Sequence, residues 1–286
     1  MTVVQLRGVS LDYSVKEHTA TSIKEYFIQV LRGRRKRKVI RALREVDLEV
    51  ERAECVGIIG RNGAGKSTML KVVSGILRPT RGTVSVDGRV APILELGTGF
   101  DYELSGRENI ELNALLLGLS RREIKALEES IIDFSGIRRS IEQPVKSYSL
   151  GMVARLGFAI ATASIPSVLI LDEVTAVGDA EFMLRCQRRV DELVSSGTTT
   201  LVVSHDETTI RRLCTRCVLL EGGEIRAQGK VDEVLAEYGR RTLHRIDSAS
   251  GSQSHETEDS ALEASSAADS APGSTRRKHF RPRRLP

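Results

Sequence analysis

A short apolar run, Cys55 to Ile59, ends in Gly60-Arg61-Asn62-Gly63-Ala64-Gly65-Lys66-Ser67, and a helically spaced series (Met69, Leu70, Val73, Ile76, Leu77) follows at once. The pattern G-x-x-x-x-G-K-[ST] between a buried strand and a helix is a phosphate-binding loop. Small residues let successive backbone N–H groups curl round an anion, and the helix N-terminus adds about half a unit of positive charge. In such a loop Lys66 reaches the β- and γ-phosphates, Ser67 offers a hydroxyl to Mg²⁺, and Thr68 lies near the α-phosphate. This feature restricts the chain to an α/β fold in which the loop joins a central strand to its helix.

A phosphate cradle needs a partner that decides the fate of the phosphate. Val168-Leu169-Ile170-Leu171-Asp172-Glu173 supplies one: an apolar run that reads as a buried strand and ends in two carboxylates. Asp172 is suited to completing the Mg²⁺ shell that Ser67 begins, and Glu173 to orienting and deprotonating an attacking water. Another apolar run, Leu201 to Val203, leads to Ser204-His205-Asp206. From its own context His205 reads equally well as a structural histidine or as a sensor of the γ-phosphate.

Alternation marks strands at Val3 to Val9 and Leu43 to Val50, and the first helix is predicted over Gly65 to Leu77, stopping at Arg78-Pro79. Helical patterns dominate from Arg107 to Ser164. Strand patterns return at 168–171, 199–203, 218–220 and 224–227, with helices around Glu181 to Val194 and Glu207 to Leu213. That order describes an α/β sheet interrupted by a helical subdomain over about 95–165.

The net charge of +5 would suggest nucleic acid if it were spread over a face, but it is concentrated. Arg32, Arg34, Arg35, Lys36, Arg37, Lys38 and Arg41 alone exceed the surplus, and the acids and bases of the last forty residues cancel. The remaining body is near neutral, so no nucleic-acid partner is expected. The four cysteines, at 55, 186, 214 and 217, include a lone C-x-x-C with no second ligand pair, which reads as buried thiols rather than zinc ligands. The start of the chain lacks the features of a secretion signal, and its longest apolar stretch, Gly157 to Leu171, is short and interrupted. Any membrane association is therefore expected to be peripheral.

Taken in order, GRNGAGKST, SYSLGM, LILDE, AVGD and VVSHD resemble the nucleotide-binding subunits of ATP-binding-cassette (ABC) transporters over residues 1–240. The resemblance implies a P-loop NTPase core with an antiparallel β subdomain and an inserted helical subdomain. It also implies a head-to-tail homodimer in which each Mg²⁺-ATP lies between the phosphate loop of one copy and the signature motif of the other. Ser149, Leu150, Gly151 and Met152 would then act in trans, Asp179 would line the dimer contact, Glu173 would be the general base, and His205 would contact the γ-phosphate. Tyr13 is the simplest adenine-stacking aromatic.

The signature, usually written LSGGQ, reads Tyr148-Ser149-Leu150-Gly151-Met152, and Leu94-Glu95-Leu96-Gly97-Thr98-Gly99-Phe100 stands where a glutamine is expected, with Glu95 the candidate replacement as a metal or water contact. These departures, with LELGTGFDYELSGREN and DEVTAVGDAEF, resemble the branch that exports cell-envelope polysaccharides such as O-antigen and teichoic acid. Such a subunit works on a separate membrane permease at the cytoplasmic face of the plasma (inner) membrane. A soluble cassette ATPase acting on nucleic acid or ribosomes is the alternative reading. Some members of the export branch add a C-terminal glycan-binding β-sandwich, which is not expected here because the chain after Gly239 lacks strand alternation and aromatics.

Beyond the 1–240 cassette, residues 241–286 form a tail rich in Ser, Ala, Asp and Glu that is expected to be disordered. Inside the cassette, about 20–41 reads as a basic amphipathic arm, with Ile23, Phe27, Val30 and Leu31 on one helical face before the seven-base run. That arm suits an anionic membrane surface, at roughly 1 kcal/mol per base, or a packed helix followed by a solvated loop. Neutralising Arg34 to Lys38 is expected to weaken binding to anionic liposomes in a sedimentation assay; unchanged binding selects the packed-helix reading.

Overall fold

The computed structural model describes residues 1–16, 37–94, 96–172 and 179–243. By its contacts the chain divides into two units, Met1–Tyr238 and Gly239–Pro286, and the first holds every described strand. Glu95, Glu173, residues 174–178, the arm over 17–36 and the tail from 244 lie outside the described residues.

Two sheets form the first unit. The strands β1 Thr2–Lys16, β2 Arg37–Glu51 and β4 Arg81–Val86 make an antiparallel sheet in the order β2-β1-β4. The larger sheet contains β3 Cys55–Ile59, β5 Val90–Ile93, β6 Val168–Asp172, β7 Thr199–Val203, β8 Arg216–Glu221 and β9 Glu224–Gly229, in the order β5-β6-β7-β3-β8-β9. All its neighbours run parallel except β9, which is antiparallel to β8.

The continuous apolar runs become legible once their two faces are separated. Val56 and Ile58 of β3, Val168 and Ile170 of β6, Leu201 and Val203 of β7, and Val218 and Leu220 of β8 share one core with Leu6, Leu43, Leu48, Met69 and Leu70. Their alternates, including Ile59, Leu169, Leu171, Val202 and Leu219, share a second core with Phe158, Phe182, Val190 and Ile210. Strand residues alternate in facing, so a strand covered on both sides must be apolar at every position.

The helical region consists of α2 Gly106–Leu116, α3 Arg121–Ser135 and α4 Leu150–Ala161. They enclose a third core around Ile110, Ile124, Ile131, Ile132, Val153 and Leu156. Both α2 and α3 begin with a capping box, Ser105 with Glu108 and Ser120 with Glu123. On the parallel sheet lie α1 Lys66–Val73, α5 Ala180–Ser195 and α6 Glu207–Leu213.

Three sequence expectations are corrected, and two strands are added. Helix α1 ends at Val73 rather than Leu77, because Ser74 caps it and Gly75 turns left-handed at φ 76°. Strands β1 and β2 run well beyond 3–9 and 43–50, since Asp12 to Lys16 pair with Arg41 to Arg37. The segment Arg37 to Arg41 is thus strand and not part of the basic arm; residues 38–40 are exposed and leave no alternation to read. Strands β4 and β5 were not anticipated: the first has no fully buried side chain, and the second is four residues long and contains Pro92.

The loop after β5 meets α4 through glycine. A Cβ on Gly157 would stand 2.9 Å from the Gly97 nitrogen, and one on Gly97 would run into Val153. Gly157→Ala is therefore expected to destabilise by about 1–3 kcal/mol, despite the ~1 kcal/mol that alanine's helix propensity adds. A denaturation midpoint at or above that of the parent would refute this close approach.

A candidate nucleotide-binding cleft

The parallel strands β6, β7 and β3 are neighbours, and their C-terminal ends open on one cleft of about 570 Å³. From the chain after β3 come Asn62, Gly63, Ala64, Gly65, Lys66, Ser67 and Thr68; from the end of β6 comes Asp172, and after β7 comes His205. The opposite wall belongs to the antiparallel sheet: Tyr13 of β1, with Ile40, Arg41 and Ala42 of β2. Sequence reasoning missed these three residues of β2. Their one available signal was pairing, since Ile40 lies opposite Tyr13 and Arg41 opposite Asp12.

The loop conformation demands its glycines. Gly65 has φ 106°, and a Cβ there would stand 2.5 Å from the Ala42 carbonyl oxygen; a Cβ on Gly60 would run into the Leu220 carbonyl. The curl holds the Lys66 ammonium, whose Nζ donates to the Gly60 carbonyl at 2.6 Å and to the Arg61 carbonyl at 3.1 Å. Lys66 is 7% exposed. Gly60 and Arg61 do not line the cleft themselves but anchor the lysine that does.

Helix α1 differs from its neighbours at its start. Ser105, Ser120, Ser149, Asp179 and Asp206 cap α2, α3, α4, α5 and α6 with side-chain oxygens. At α1 the cap position is Gly65, with no side-chain hydrogen bond and no acidic residue in the first turn. A buried ammonium beside helix N–H groups that no side chain caps is a concentration of positive potential that an anion relieves. The residues therefore fit a polyphosphate.

Asp206, next to His205, has its carboxyl held below the ordinary value by the Thr209 hydroxyl and then by the backbone N–H groups of Thr208 and Thr209. It starts α6 and so fixes the chain where His205 enters the cleft.

The other predicted residues are not in the cleft. Ser149 starts α4, its Oγ accepting from Met152 N–H at 3.2 Å; Leu150 is 87% exposed, and Gly151 and Met152 follow in the first turn. The preceding Tyr148 is anchored by donating its hydroxyl to the Ser140 carbonyl at 2.7 Å. Asp179 starts α5 on the chain's surface, with its carboxyl held below the usual value chiefly by the Phe182 N–H and further by Arg155. All four cysteines are buried; burial pushes the Cys186 thiol to about 12 and the Cys217 thiol to about 11.

Comparison with known proteins agrees with this geometry. The family model described as ABC transporter matches residues 43–176. The O-antigen export system ATP-binding protein RfbB of Klebsiella pneumoniae is 41% identical over 242 residues, 82% of this chain and 97% of that protein. The teichoic acids export ATP-binding protein TagH of Lactococcus lactis is 45% identical over 197 residues, 69% of this chain and 42% of that protein. Among solved structures, an ATP-binding subunit of an ABC transporter aligns with TM-score 0.63 and 25% identity, covering 83% of this chain and 93% of the other. The dimeric cassette MJ0796 bound to ADP and Pi shares the fold, with TM-score 0.62 and 23% identity over 80% of this chain and 98% of its own. The chain belongs to the ABC transporter family, as one of its ATP-binding, ATP-hydrolysing subunits.

Proposed function

We propose that the chain is the motor subunit of an exporter of a cell-envelope polysaccharide, O-antigen, teichoic acid or a related lipid-linked glycan. The observation that carries this reading is the match to an O-antigen export ATP-binding protein, 97% of whose length is covered by 82% of this chain at 41% identity. Among the described residues no helix is long and apolar enough to cross a membrane, which suits a subunit that acts on a separate permease from the cytoplasmic face of the plasma membrane. The alternative, a soluble cassette acting on nucleic acid or ribosomes, gains no support from the export proteins it resembles, nor from the near-neutral body.

In this reading Tyr13 stacks on adenine, the backbone of Gly60 to Thr68 wraps the phosphates, and Lys66 neutralises the β- and γ-groups. Ser67 and Asp172 line one cleft, and their hydroxyl and carboxylate are the oxygen donors that would hold Mg²⁺ there. Glu95 is a further candidate contact. Held there, Mg²⁺ would neutralise negative charge on the phosphates.

Glu173 takes the proton of the water that attacks the γ-phosphorus, leaving ADP and phosphate, and His205 holds the γ-phosphate in line. A second copy closes the site with Ser149, Leu150, Gly151 and Met152 at the exposed start of α4, and Asp179 lines the dimer contact. Two copies closing on ATP and reopening after hydrolysis would drive the permease.

Lys66→Ala is expected to abolish ATP binding measured by fluorescence of an ATP analogue. Glu173→Gln should retain that binding yet lower turnover by about 10²- to 10⁴-fold; near-normal phosphate release would remove Glu173 from its role. The transport reading is tested by co-purifying the full chain from membranes. A multi-span partner should accompany it, and in vesicles its ATPase should respond to lipid-linked glycan. Stimulation by RNA or ribosomes instead would replace this reading with the alternative.

A further inference from the structure

The two segments offered to the partner copy, Ser149–Met152 and Asp179, start different helices, and the structure ties them together within one copy. Asp179 Oδ1 accepts from Phe182 N–H at 2.9 Å, starting α5, while Oδ2 accepts from Arg155 Nη2 at 2.6 Å. Arg155 lies on α4, in the second turn after the Ser149 cap. Its guanidinium faces the Phe182 ring 5.0 Å from the centroid. Phe182 is 2% exposed and meets Phe158 of α4 edge-on at 6.2 Å and Phe134 of α3 at 5.8 Å. From the other side Arg185 of α5 donates to the Phe134 carbonyl at 2.8 Å and covers that ring at 4.9 Å.

The Asp179 side chain is 63% exposed and that of Arg155 25%. An ion pair so wetted adds little to global stability. What it supplies is direction: a planar guanidinium held over a fixed ring can meet a carboxylate along few approaches. Because Phe182 is held between Phe134 of α3 and Phe158 of α4, Arg155 carries the position of Asp179 back to the helix that begins with Ser149.

We propose that Arg155 is a positioning residue for the in-trans half of the nucleotide site, holding Asp179 to α4 so that both contact segments of one copy meet the partner as a single rigid unit. The inference rests on the dimer reading above and adds a residue that does not line the cleft. Without Arg155 the two segments must be ordered against each other as the dimer closes, at an entropic cost. The loss falls on closure and not on the first capture of ATP.

The test uses the full chain carrying Glu173→Gln, in which slowed hydrolysis is expected, on the dimer reading, to let ATP-bound dimers accumulate. Light scattering reports the ATP concentration for half-dimerisation, and a fluorescent ATP analogue reports binding to the single copy. Arg155→Gln and Asp179→Asn are each expected to raise the half-dimerisation concentration about tenfold, equivalent to losing one well-formed contact, with single-copy affinity unchanged. Asparagine keeps the helix cap, so Asp179→Asn removes the pair and spares α5. The double variant should be no worse than either single one, and Arg155→Lys should recover most of the loss. Unchanged dimerisation in Arg155→Gln, or losses that multiply in the double variant, would overturn the inference. A Glu173→Gln parent that stays monomeric with ATP would bring down the dimer reading itself.

Discussion

An ammonium group shut inside a curl of backbone, at the positive end of a helix, is the constraint round which this protein is arranged. Lys66 is nearly buried and donates to the carbonyls of Gly60 and Arg61, yet the helix it begins carries no acidic residue in its first turn. The local sequence places three glycines in the turn, at 60, 63 and 65, and accepts their conformational entropy in the unfolded chain. Such an arrangement persists because the surrounding sheet over-determines it. Gly60 and Gly65 lie against the backbone of Leu220 and Ala42, so strands from both sheets shape the loop.

The two sheets and the helical region then divide the labour. The parallel sheet delivers Asp172 and His205 beside the loop because β6 and β7 are the next strands in the same sheet. The antiparallel sheet adds the wall containing Tyr13. The helical region keeps Ser149 and its neighbours away from this cleft, and a surface offered outward suits a site completed by a second copy. The Gly97–Gly157 approach and the phenylalanine cluster hold α4 to the core from two directions.

The parts legible in the sequence were those where one residue type has one use. Continuous apolar runs read as buried parallel strands because both their faces are covered, and the loop, Asp172 and His205 fell where strand ends put them. Less was legible where the backbone alone sets the structure. Nothing in the exposed side chains of Lys38 to Arg41 announces a strand; the ladder with Asp12 to Val15 does. Ile40, Arg41 and Ala42 were missed for that reason. The edge strands β4 and β5 bury too little to leave a pattern. Helix α1 ends early because a left-handed glycine outranks a proline four residues later.

The cleft's two walls come from different sheets. A ligand that fills the cleft would therefore touch both, and separating the sheets would release it. Occupancy becomes part of the fold's cohesion: the free energy of ligand capture is added to that of unfolding, by about 2.7 kcal/mol when the ligand stands at a hundred times its dissociation constant. Hydrolysis and release would then loosen the same joint on every cycle, so the chain's resistance to heat should track which nucleotide it holds.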